Sequence, residues 1–197
     1  MTEERTAVVI RETTEVRIEL TIGLDGVGTT SIETGIGFFD HMLTVLARHG
    51  RFDLSVRAKG DLNVDEHHTV EDVGIALGEA FDQALGDASG TRRYGSALLP
   101  MDEALAQVAI DLSGRGLAVL PTPFDGSVGA FNAQALDEFM IAFARSGRLT
   151  LHARLLAGIN RHHCAEALFK GLGIALAESV DRTGRIDGIP STKGTLR

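Results

Sequence analysis

Two stretches of this chain, Asp65-Glu66-His67-His68-Thr69-Val70-Glu71-Asp72 and Asn160-Arg161-His162-His163-Cys164-Ala165-Glu166, are one pattern written twice. In each, a histidine pair is followed by a glutamate three residues beyond the second imidazole, and each opens an apolar-periodic segment, over residues 70–85 and 165–180. On a helix the first His and the Glu stand at i and i+4. His67 then shares a face with Glu71, and His162 with Glu166, with Cβ atoms about 5–6 Å apart. The second His of each pair points roughly 100° away around the helix. A single such motif carries little weight. Two of them, one in each half, point to a duplicated metal site.

The rest of the chain follows the same doubling. Residues 15–22 alternate apolar and polar as a half-buried strand does, and Asp25-Gly26 is a hairpin signal. Residues 38–46 carry apolar positions at helical spacing up to Gly50, Leu54-Ser55-Val56 reads as a strand, and the first His-His helix follows. The second half repeats the order: a strand over 105–112, a helix with Leu136, Phe139, Met140 and Phe143 on one face, a strand over 148–154, and the second His-His helix. Gly50-Arg51 aligns with Gly147-Arg148, Arg57 with Arg154, and His41 with Glu138; only the connection before the His pair differs, by two residues. Self-similarity at this length implies two half-domains, 1–90 and 91–197, related by a pseudo-twofold rather than stacked as a solenoid. Strands and helices in this order give an α+β or α/β sandwich with apolar helices packed on sheets. The stretch 121–129, rich in Pro and Gly, reads as an exposed loop.

Five of the seven histidines fall on the repeat: His41, His67, His68, His162 and His163. With Glu71, Glu138 and Glu166 they form a nitrogen and oxygen donor set suited to Mn, Fe, Co, Ni or Zn. The lone Cys164 turns away from His162 and Glu166 on a helix and reads as packing, and a thiolate-rich structural zinc site is excluded. His49 and His152 lack counterparts in the repeat and read as local hydrogen bonding or strand surface. One cysteine forms no internal disulfide, which fits a reducing cytoplasm. No apolar run is long enough to span a membrane, and the charged first eleven residues do not read as a signal peptide. A net charge of −8 with no basic stripe disfavours nucleic acid, while leaving room for a small anionic substrate.

Gly35-Ile36-Gly37-Phe38-Phe39-Asp40-His41-Met42-Leu43, the two His-His-x-x-Glu helices, Asp111-Leu112-Ser113-Gly114-Arg115 and Pro190-Ser191-Thr192-Lys193-Gly194 together resemble the imidazoleglycerol-phosphate dehydratase family of histidine biosynthesis, over roughly residues 11–193. The resemblance implies an α+β fold of duplicated β-β-α-β-α halves, with a helical layer between two four-stranded sheets, like the second domain of ribosomal protein S5. It implies dehydration of imidazole glycerol phosphate to imidazole acetol phosphate with two manganese ions (Mn²⁺) per active site. It also implies a homo-oligomer in which trimers build a twenty-four-subunit cubic cage. Metal ligands fall on His41, His67, His68, Glu71, Glu138, His162, His163 and Glu166, with Glu138 standing where many members have histidine. Substrate contacts fall on Glu15, Arg93, Arg115, Lys170, Ser191 and Lys193, and catalytic roles on Glu15, Glu71 and Glu166. Glu15 is the candidate for proton transfer; Arg93, Arg115, Lys193 and the Ser191 hydroxyl are the candidate phosphate clamp.

Shared helix faces predict that His67 and Glu71 bind one metal together with His41, and that His162 and Glu166 bind the other with Glu138. The spare imidazoles, His68 and His163, would complete metal sites on neighbouring subunits, so that the active site is shared. Two other readings remain open to the sequence: a dinuclear metallohydrolase acting on a small phosphorylated substrate, and a metal-storage cage without catalysis.

Overall fold

The computed structural model describes residues 4–121, 124–182 and 184–196. Strand β1 (Thr6–Glu12) pairs antiparallel with β2 (Val16–Gly23), which pairs antiparallel with β4 (Asp53–Gly60). Along β2 the alternation seen in the sequence sends Val16, Ile18, Leu20 and Ile22 inward, all buried. Strand β3 (Thr30–Glu33) lies beyond β4 and runs parallel to it, joined through helix α1 (Gly37–Gly50) as parallel neighbours require. The sheet order is thus β1-β2-β4-β3, and helix α2 (His67–Leu85) packs over β1 and β2.

The second half repeats this plan. Strands β5 (Tyr94–Met101), β6 (Ala104–Asp111), β10 (Thr150–Ala157) and β7 (Leu117–Val119) form a sheet of order β5-β6-β10-β7, with β7 parallel to β10. Helix α3 (Ala135–Ser146) precedes β10, and α4 (Arg161–Val180) covers β5 and β6. Arg51 and Arg148, matched in the sequence repeat, both take left-handed backbone, at φ 57° and 52°.

The halves interlock through their helices. Helix α1 packs on α4, and α2 on α3. Each crossing is close because a glycine stands at it. A Cβ on Gly78 would meet the carbonyl oxygen of Phe143 at 2.7 Å, and one on Gly173 would run into the carbonyl oxygen of Leu46. Between the sheets the core closes on aromatics: Phe139 stacks on Phe169 with ring centres 5.4 Å apart and meets Phe39 edge-on, also at 5.4 Å.

Two local expectations are corrected. Asp25-Gly26 makes no β-hairpin, because the chain leaves β2 and crosses to the far edge of the sheet. The turn is held instead by Asp53, whose carboxylate accepts N–H groups from Val27 (3.0 Å) and Thr29 (2.8 Å). The stretch 121–129 is not simply an exposed loop; of it, 122 and 123 lie outside the described residues. Phe124 is buried and its N–H donates to Asp137 (2.7 Å), while β8 (Ser127–Val128) and β9 (Phe131–Asn132) form a short hairpin. This segment straps the helix starts together. Phe131 packs on Phe38 of α1, Asn132 N–H donates to Glu66 at the head of α2, and Asp125 pairs with Arg161 of α4.

Candidate active site

Asn160 starts α4 by accepting the N–H of His162 on its side chain (2.9 Å), a regular N-cap. One turn later Glu166 is buried on the same face as His162. Because α1 and α4 pack running the same way, His41 arrives there too: its Nε2 lies 2.8 Å from Glu166 Oε1, and His162 Nε2 lies 3.1 Å from the same oxygen. Phe38 packs edge-on against His162, with ring centres 5.3 Å apart. Ligand atoms of His41, His162 and Glu166 all fall within 4.8 Å of one another, the one such convergence of three donors among the described residues. Burial works against the charge on Glu166. Lys170 (Nζ to Oε2 2.6 Å) and the two imidazoles outweigh it and hold the carboxyl at about 2. Two imidazoles and an ionised carboxylate, with no sulfur, are a donor set that fits a divalent first-row metal.

The other donors gather around α2. His67 Nε2 lies 3.6 Å from Glu71 Oε2, and Glu138 lines a cavity with His67, Asp65 and Glu66. This overturns the expected grouping of His41 with His67 and of Glu138 with His162. The physical reason is the crosswise packing of helices. Each upstream helix delivers its donor to the His helix of the opposite half, not of its own.

The second imidazole of each pair turns elsewhere, as helix geometry dictates. The His67 and His68 rings are inclined at 80°, and the His162 and His163 rings at 87°. His68 Nδ1 lies 3.0 Å from Asp61 and 3.8 Å from Glu15; His163 Nδ1 lies 2.7 Å from Glu103. The hydrogen bond to Asp61 raises the His68 pKa above its ordinary value, and that to Glu103 does the same for His163, each against a lowering by desolvation. In return, His163 and the N–H of Asn160 hold Glu103 at about 2. Neither Asp61 nor Glu103 stands out in the sequence, since both lie in turns outside the histidine helices.

Two of the expected cationic contacts, Arg93 and Arg115, meet at Asp111. Arg93 grips its carboxylate with Nε (2.7 Å) and Nη2 (3.3 Å), and donates from Nη1 to the Pro190 carbonyl (3.0 Å). Arg115 is largely exposed, its Nη2 4.0 Å from Asp111, and in the tail the N–H of Lys193 donates to the Ser191 hydroxyl. Arg93 stands far from the His162–Glu166 end of α4 in its own chain. The N–H of Arg93 donates to the carbonyl of Ser179, near the last turn of α4, whereas His162 opens that helix. At a rise of 1.5 Å per residue the two points are about 25 Å apart. Lys170 alone of the expected cationic contacts sits with the histidine cluster. The two residues set aside behave as read: His49 bonds the Val45 carbonyl (2.9 Å), and His152 lies on the exposed face of β10.

Residues 34–176, which span both histidine motifs, match the sequence profile of a family described as imidazoleglycerol-phosphate dehydratase. The chain belongs to this family. Imidazoleglycerol-phosphate dehydratases of Clostridium botulinum (strain Hall) and Granulibacter bethesdensis are each 54% identical to it, the first over 98% of this chain and 100% of the relative, the second over 98% and 99%. Among solved structures, the enzyme of Pyrococcus furiosus in complex with (S)-C348 superposes with a TM-score of 0.82 at 37% identity, covering 95% of this chain and 99% of that one. The Staphylococcus aureus enzyme gives 0.82 at 34%, covering 90% and 99%. The chain is a hydro-lyase, and the reaction is dehydration of imidazole glycerol phosphate in histidine biosynthesis. Hydrolysis and passive metal storage are set aside.

Proposed function

We propose that the dehydration is metal-dependent, with two manganese ions per active site, and that each site is shared between subunits of a homo-oligomer. The observation that carries the metal reading is the meeting of His41, His162 and Glu166 from two helices and two halves of the chain. In this reading His41, His162 and Glu166 hold one ion, and His67, Glu71 and Glu138 hold another. His68 and His163, turned off those faces, serve ions of neighbouring subunits.

The substrate's side chain has no carbonyl next to the C–H bond that must break, so its imidazole ring is the only electron sink. Bound manganese would supply positive charge to that ring and fix its orientation. The protein's own groups do the rest. Glu15, on the turn between β1 and β2, carries the proton between carbon and departing water, and the enol left behind rearranges to the ketone of imidazole acetol phosphate. Arg93, Arg115, Lys193 and the Ser191 hydroxyl hold the phosphate, for which arginine's planar fork is suited. Lys170 balances the charge of Glu166 beside the substrate.

The distance along α4 supports sharing: the proposed phosphate clamp and donor cluster would meet where different subunits supply them. Exposed apolar side chains on the edge strands, Ile10 on β1 and Leu98 on β5 (66% and 64% exposed), favour burial between subunits, and we take the assembly to be trimers building a cubic cage. Among the described residues no helix is long and apolar enough to cross a membrane, and the single buried thiol, Cys164, suits the cytoplasm. The test is direct. Protein stripped by a strong chelator, with metal loss verified by elemental analysis, loses dehydration activity and regains it with Mn²⁺. Undiminished turnover in the stripped protein would overturn the reading.

A further inference from the structure

The two sheets can be matched strand by strand. The ladder that pairs Arg57 with Glu19 in the first pairs Arg154 with Gln107 in the second. Counted back along β2 and β6 from that shared point, Val16 matches Ala104 and Glu15 matches Glu103. The two hairpin turns therefore bring a glutamate to the same place, beside the second histidine of their own half. Yet the pair differ. Glu103 has closed on His163 Nδ1 at 2.7 Å, and Glu15 stands off His68 Nδ1 at 3.8 Å.

The cause lies in the connection that differs between the halves. Asp61 follows Arg57 as Gly158 follows Arg154. The Asp61 carboxylate takes His68 Nδ1 with both oxygens, at 3.0 and 3.3 Å. Gly158 has no side chain to offer, and the Cys164 sulfur fills the space where its Cβ would stand. Glu103 stays in place instead, its other oxygen accepting N–H groups from Asn160 (2.7 Å) and Ile159 (3.3 Å).

We propose that Asp61 and Glu103 are positioning residues that hold His68 and His163 by Nδ1 and present Nε2 to a metal ion, and that Asp61, by taking the place Glu103 fills in the other half, leaves Glu15 free for proton transfer. A carboxylate on one ring nitrogen fixes the tautomer and the ring plane and raises the basicity of the other nitrogen. Glu103 is thereby committed to structure on both oxygens. Among the described residues no hydrogen bond holds either oxygen of Glu15, whose nearest charged partner is His68 at 3.8 Å. Asp102, 3.7 Å from His163 Nε2 and 70% exposed, is too distant to hydrogen-bond that nitrogen. The inference rests on the metal reading above.

The experiment is Mn²⁺ titration of the assembled, metal-stripped protein, read from the paramagnetic resonance signal of free Mn²⁺. The unaltered protein is measured first, and its failure to bind Mn²⁺ would remove the metal reading itself. Asp61→Ala and Glu103→Ala should each weaken Mn²⁺ binding about 10- to 100-fold. Asp61→Asn and Glu103→Gln, which keep an acceptor for Nδ1–H, should recover part of that and serve if the alanine variants fold poorly. Glu15→Ala should bind Mn²⁺ as the unaltered protein does while losing turnover at saturating metal. Unchanged Mn²⁺ affinity in folded Asp61 and Glu103 variants overturns the positioning role. Weakening in Glu15→Ala equal to that in Asp61→Ala overturns the division between the two carboxylates.

Discussion

Arg5 is a cation almost withdrawn from water, and its partner Asp25 governs part of the response to acid. The Arg5 side chain is 7% exposed; its Nε donates to Asp25 (2.9 Å) and its Nη1 to the Val180 carbonyl (2.7 Å). The hydrogen bond from Arg5, working against desolvation, holds the Asp25 carboxyl below its ordinary 3.8. A depressed folded-state pKa adds stability above the unfolded value and forfeits it as pH falls through the folded one. Asp25→Asn should therefore melt earlier at neutral pH, by on the order of 1 kcal/mol since the carboxylate is half exposed. That gap should close below pH 3.8, and paired melting curves of metal-free protein across the range would check it. At this scale the sequence was legible where periodicity spoke. The histidine pairs and their glutamates announce themselves by spacing along one helix. Asp61 and Glu103 do not, because a hydrogen bond to Nδ1 comes from whichever turn packs nearby. Only laying Glu103 on Glu15 through the repeat would have found it.

Among elements, the glycines at the helix crossings set how the halves meet. Gly173→Ala places a methyl against the backbone carbonyl of Leu46, which has no rotamer to yield. Alanine favours a helix over glycine by about 1 kcal/mol, yet overpacking of this kind costs about 1–3 kcal/mol. The variant should unfold at lower urea, with unchanged slope; equal or greater stability would mean that the crossing has slack. Helices were readable in the chain because their apolar stripes are regular. Strands β1 and β5 were not, since side chains such as Val8 and Ile10 leave apolar residues on the outer face as well and erase the alternation. The pairing of helices lay beyond reach for another reason. A helical stripe reveals that a face is buried, not against which partner, so the expected grouping of donors came out wrong although the donors themselves could be picked out by their spacing.

For the whole molecule, the length of α4 separates the proposed phosphate clamp from the histidine cluster, and this makes the proposed sharing of the site testable by mixing. His162→Ala and Arg115→Ala should each be nearly inactive, the second because a charge-assisted contact of about 2 kcal/mol is gone. Dissociated and reassembled together, they should regain turnover that neither has alone, since some sites then draw an intact histidine from one subunit and an intact arginine from another. Mixed assemblies of confirmed composition that stay inactive would place both functions within one chain. The crosswise exchange of helices also says something about ancestry. Each half hands its upstream donor to the other and receives one in return, so two identical copies of a single half, meeting across the same axis, would have closed both donor clusters as a dimer. The gathering of the donors does not require the two halves to be joined in one chain. What a single chain allows is difference between the halves: one carries histidine at 41 and the other glutamate at 138, and the β8–β9 strap is present in the second without a counterpart in the first among the described residues.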